Sequence, residues 1–149
     1  MRQFIVIYIF CWLPVLAGGQ QTTNLDSLLK RLAYAKEDSN RVSLLLTIGK
    51  EYFSANDFDS ALYFNKECEK LISKVDAVQY KHRCFHEFVK IYHAQAAYRP
   101  ALDYCLRSID IAKQHKNRFQ EALSYRALFN IYHNLKMIDS AVKYGVYSL

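Results

Sequence analysis

Apolar residues recur along the chain at intervals of three and four: Leu45, Ile48 and Tyr52, then Phe85, Phe88 and Tyr92, then Tyr125, Leu128 and Tyr132. This spacing puts each set on one face of a helix and predicts an amphipathic helix at each place. A short break follows each set, at Ala55-Asn56-Asp57, Ala96-Ala97-Tyr98 and Lys136-Met137-Ile138, and a second helix follows each break. Asp57 is suited to cap its helix, because a carboxylate accepts hydrogen bonds from the free N–H groups of a first turn. Pro100 falls in a first turn, where its missing N–H costs nothing. Polar breaks at Ser73-Lys74-Val75-Asp76 and Gln114-His115-Lys116-Asn117 separate the pairs, with His115 and Lys116 at a negative helix end. A further stripe of Leu25, Leu28, Leu29 and Leu32 predicts a helix from about Leu25 to Lys36 that covers the apolar edge of the first pair, and Asp38-Ser39-Asn40 offers the next cap.

The pairs repeat. At an offset of 40 residues Tyr52, Tyr92 and Tyr132 align, as do Ala61, Ala101 and Ala141. The same register carries Leu62, Leu102 and Val142; Phe64, Tyr104 and Tyr144; Phe58, Tyr98 and Ile138; and Cys68, Ser108 and Ser148. Size and polarity are kept at each place, which is the mark of an internal repeat.

Composition narrows the class. The 149 residues are 52% hydrophobic and 23% charged, within the range of ordinary globular chains. Four Gly and two Pro are fewer than a many-turned sandwich or barrel needs, so the expectation is all-α. The net charge of +6 is spread through Lys30, Lys50, Lys66, Lys90, Lys113 and others, with no basic run of the kind a nucleic-acid arm shows. Nucleic acid is not an expected direct partner.

Residues 1–19 have the layout of a secretory signal peptide: Arg2 in a positive start, an apolar stretch from Phe4 to Leu16, and small residues Ala17-Gly18-Gly19 before Gln20. At about 13 residues the stretch is shorter than the roughly 20 a membrane-spanning helix needs. Cys11 lies inside it and is not placed as a lipid acceptor. Cys68, Cys84 and Cys105 remain, with no CxxC spacing, and read as small apolar core residues; a bridge from Cys105 to Cys84 or to Cys68 stays open.

The helix pairs resemble tetratricopeptide repeats, whose first helix reads W-x-x-L-G-x-x-Y and whose second carries A-x-x-x-F. Leu45-x-x-Ile48-Gly49-x-x-Tyr52 follows the first pattern with Leu for Trp, while Val89 and Phe129 stand where the glycine would be. The period of 40 exceeds the family's usual 34 or so, and the second-helix aromatic comes three residues after the alanine. The resemblance implies a right-handed superhelix of antiparallel helix pairs: a capping helix over 20–38, then units over 39–76, 77–116 and 117–149, the last read as truncated. The Asp-Ser-Ala tripeptides at 59–61 and 139–141 and the Leu25-to-Lys30 segment are similar to the exported sensor regions that precede a membrane helix and a histidine kinase or DNA-binding module in Gram-negative signalling proteins. That implies a periplasmic chain, with further repeats or an output domain in the full-length protein and membrane contact only through a downstream segment. A free-standing exported adaptor or assembly factor is the alternative.

In such arrays the first helices line the concave face. Lys50, Lys90 and Asn130 are equivalent there, Phe53, His93 and His133 form a second row, and Arg83, His86 and Arg126 lie nearby. A basic groove with interleaved rings suits a protein or peptide ligand, acidic segments included. The carboxylate clamp of cochaperone repeats is not matched, since Leu46 stands where a polar group would help. His82, His86 and His93 share a helix side, but His93 lies about 10 Å further along the axis and cannot complete the same metal shell, and surface histidines are the reading. No HExxH, GxSxG or glycine-rich phosphate loop occurs, and Glu51, Glu67, Glu69, Asp57 and Asp59 read as caps and solvated faces. Neither a catalytic role nor a cofactor nor a metal is expected.

Overall fold

The computed structural model describes residues 19–149, with side chains from Asn24 onward. These residues form seven α-helices and no strand: α1 (Gly19–Tyr34), α2 (Ser39–Ser54), α3 (Phe58–Lys74), α4 (Lys81–Ala94), α5 (Tyr98–Gln114), α6 (Arg118–Asn134) and α7 (Ile138–Val146), with a 3-10 turn at Val78–Tyr80. The fold is all-α and consistent with a helical repeat; α3, α5 and α7 begin at residues 58, 98 and 138. The segment read as a signal peptide lies outside the described residues except for Gly19, which opens α1. That helix starts six residues before the expected Leu25 and stops at Tyr34, short of Lys36. No apolar stripe marks its polar beginning, and its end is fixed from outside, where Arg41 Nη1 donates to the carbonyls of Leu32 and Ala35, both at 2.8 Å.

The helix starts follow from local chemistry. Asp38 accepts from Asn40 N at 2.8 Å and Arg41 N at 3.1 Å, Asp57 from Ser60 N at 3.1 Å, and Asn117 from Gln120 N at 3.0 Å. The ends share one device. Asn56, Asp76, Ala96, Lys116 and Lys136 have φ between 50° and 60°, and each lies two residues past the end of a helix. The N–H that follows each of them donates to a carbonyl five residues back: Asp57 to Tyr52, Ala77 to Ile72, Ala97 to Tyr92, Asn117 to Ala112 and Met137 to Tyr132. This left-handed closure satisfies carbonyls a helix end leaves free. It also moves the breaks: Ser73, Lys74 and Gln114 stay helical, and Tyr98 and Ile138 already open helices.

Each helix packs on the next, and α2 also touches α4 as α4 touches α6. Leu28 is buried, and Leu32 packs on the core of α2, α3 and α4, so α1 covers that edge. Ala61, Ala101 and Ala141 are all buried. The packing point beside them trades volume between helices. A Cβ on Gly49 would stand 3.2 Å from Asn65 Nδ2, and one on Gly145 would stand 3.2 Å from the Phe129 ring. In the middle pair the corresponding residues are Val89 and Cys105, both buried in one cluster. The small residue thus sits on the first helix in one pair and on the second in another.

Among the described residues Cys68, Cys84 and Cys105 are free and buried, with no bridge from Cys105 to either of the others. Cys84 sits beside Cys68, and that contact together with burial pushes its thiol up. Burial pushes the Cys105 thiol up to about 12. Forty residues on from the Cys68 and Cys84 pair, Ser108 and Ser124 share a hydrogen bond of 2.9 Å, so the same contact is built once from thiols and once from hydroxyls. Glu69 departs from its expected solvated role. It accepts from Arg107 Nη2 at 2.8 Å and Tyr104 OH at 3.2 Å and ties α3 to α5.

Candidate functional site

A groove runs between α4 and α6. His86, Lys90 and His93 recur at four and three residues along α4 and therefore share a face, as Leu123, Arg126, Ala127 and Asn130 do on α6. Together with Val89 and Ile131 they enclose a cavity of about 170 Å³. Val89 and Ile131 are buried and form an apolar floor, while Arg126 and Asn130 are exposed at the rim. No carboxylate lines this cavity.

Five of the nine residues expected in the groove come together here: His86, Lys90, His93, Arg126 and Asn130. Phe53 joins them indirectly, since Lys90 Nζ lies 4.9 Å from its ring centroid. Lys50, Arg83 and His133 are exposed and do not line the cavity; His133 instead stacks on Phe129, ring centroids 5.9 Å apart.

The charges are not equivalent. Lys90 Nζ is 2.7 Å from Glu87 Oε2, and Glu87 is buried. Its cation is therefore largely compensated, whereas no described carboxylate pairs with Arg126. Asn134 Nδ2 donates to His93 Nε2 at 2.8 Å, which makes that ring nitrogen an acceptor, and the ring meets Tyr98 in a T-shaped contact. Burial holds His86 below the ordinary imidazole value, helped by the cations of Lys90 and Arg126 and opposed by Glu87. Glu87 escaped the sequence reading. An acid one position from a histidine carries no pattern until the packed helices bury it.

His82 corrects the reading of surface histidines. It is 4% exposed, and its Nε2 lies 3.1 Å from both the Gln120 carbonyl and Ser124 Oγ. A carbonyl can only accept, so Nε2 carries the proton and cannot serve Ser124 as a base. The pair is a structural tie between α4 and α6. Burial lowers the pKa of His82. Among the described residues no three His, Cys, Asp or Glu side chains group as metal ligands would, and no helix is long and apolar enough to cross a membrane.

A larger cavity of about 230 Å³ lies among α1, α2 and α3, but its charged walls are paired internally, Lys74 with Glu37 and Lys70 with Glu67. Arg41, also on its wall, is committed to the end of α1. Of these two cavities, the α4/α6 groove has cationic capacity to spare. No protein-family model matches the sequence, and no curated protein matches it either.

Proposed function

We propose that the chain is a non-catalytic binding scaffold: antiparallel tetratricopeptide-like pairs, repeating every 40 residues in a right-handed superhelix, that take an acidic protein or peptide segment in the α4/α6 groove. The observation that carries this is the cavity walled by His86, Lys90, His93, Arg126 and Asn130 without a single acid. Its apolar floor favours a segment in which acidic and aliphatic residues alternate, the carboxylate meeting Arg126 and Asn130 and the aliphatic group meeting Val89 and Ile131. The register of helix starts and of left-handed closures supports the repeat architecture. The three-part layout of residues 1–19 supports export, and we place the scaffold in the periplasm as the sensing or interaction part of a signalling protein.

The test is fluorescence anisotropy with a capped peptide of alternating Glu and Leu, against its Gln counterpart, at low salt. The Glu peptide binds, the Gln peptide binds at least about tenfold more weakly, and Arg126→Glu removes the difference. Equal binding of both peptides, or none of either, overturns the reading.

A further inference from the structure

The same groove carries a proton-dependent element, whose role rests on the groove being the binding site. We infer that capture of a carboxylate in the α4/α6 cavity takes up a proton at His86, so that the groove holds acidic segments more tightly in mildly acidic surroundings than in neutral ones. His86 forms part of the cavity wall and is half-buried there. The groups facing it are few. On its own helix they are Glu87, Lys90 and the His82 ring, stacked with centroids 6.2 Å apart; from α6 there is Arg126.

In the empty cavity these surroundings keep the imidazole neutral, because burial and the two cations oppose a further positive charge and Glu87 is already bonded to Lys90. A carboxylate entering beside Arg126 reverses the balance. It brings a negative charge within reach of a low-dielectric ring and favours the imidazolium. Binding and protonation then strengthen each other by the same free energy, since linkage is reciprocal. The sign is fixed: the ligand raises the His86 pKa, so affinity grows as pH falls through the raised value and levels off below the value in the empty groove. Glu side chains stay ionised above about pH 5.5, which leaves the ligand's own charge constant over the window. His82 cannot play this part, because it is buried away from the cavity with Nε2 donating to Gln120.

The experiment measures the dissociation constant of the capped Glu/Leu peptide from pH 8 to pH 5.5, with circular dichroism confirming that the helices persist, and repeats one pH in two buffers of different ionisation enthalpy. The expected result is a dissociation constant about tenfold lower at the acid end, with up to one proton taken up per peptide. His86→Gln flattens the dependence whatever it does to the affinity at a single pH, and His93→Gln leaves the dependence in place. Without any peptide, Arg126→Glu puts a carboxylate at the rim and raises the midpoint of the His86 ring resonance in an NMR titration. Binding that is indifferent to pH, or a dependence that survives His86→Gln, overturns this inference and leaves the groove reading standing. Absence of binding at every pH overturns both.

Discussion

Tyr132 lies face to face with Tyr144, ring centroids 5.3 Å apart and planes within 11° of parallel. The same contact joins Tyr92 to Tyr104 at 5.9 Å and 21°, and Tyr52 to Phe64 at 5.3 Å and 9°. Each stack pins the end of a first helix to the second helix of its pair, and each tyrosine's carbonyl also accepts the N–H that closes the following turn. Tyr92 stacks on Phe88 as well. Truncating it to Ala therefore removes ring contacts on both helices and costs about 2–3 kcal/mol in chemical denaturation. A loss below about 0.5 kcal/mol would show that the stacks are incidental.

The left-handed closures make a second prediction. Ala96 holds φ at 55° and Lys116 at 50°, conformations in which a Cβ crowds the carbonyl. Ala96→Gly and Lys116→Gly relieve that crowding, offset by the greater freedom of glycine in the unfolded chain. Each variant gains about 0.5–1 kcal/mol and a few degrees in melting temperature. A decrease for both would mean that these turns are unstrained.

The volume trade between helices makes a third. A side chain at Gly145 meets the Phe129 ring, so Gly145→Val loses about 1–2 kcal/mol despite leaving a helical glycine behind. Adding Phe129→Val brings the pair close to the Val89 and Cys105 arrangement and recovers part of the loss. Additive effects in the double-mutant cycle would contradict direct contact.

Acid should loosen the fold through His82 and His86. Both have lowered pKa values, caused first by burial, so the folded chain binds fewer protons than the unfolded one once pH falls below about 6.5. Stability is full above that value and is lost progressively down to the folded values. The melting temperature falls between pH 7 and pH 5, and His82→Gln makes the fall shallower. A melting temperature flat across this range would refute buried neutral imidazoles.

Much of this molecule is legible in its pattern of residues. Tyr52, Tyr92 and Tyr132 fix the register because their size repeats, and the Asp38 and Asp57 caps announce themselves by chemistry. Helix ends are less legible: Ala96, Lys116 and Lys136 occupy positions where glycine would be the signal, so the breaks shift by a residue or two. Of the site, helical spacing alone brings His86, Lys90 and His93 to one face and Arg126 and Asn130 to another. What spacing cannot give is which charge is already spent. Lys50 and Lys90 look alike in register, yet Lys90 is held by Glu87 and Phe53 while Lys50 stands exposed outside the cavity. Burial of His82 depends on Gln120 and Ser124, about 40 residues away, which no local pattern shows.

Binding through a single groove is tested most directly by amide-resolved NMR of the chain titrated with the Glu/Leu peptide. Saturable shifts are expected only at residues around His86, Lys90, Arg126 and Asn130, with the α1/α2/α3 cavity around Arg41 and Tyr63 unmoved. Shifts centred on that second cavity, or spread evenly over the charged surface, would contradict binding in the α4/α6 groove.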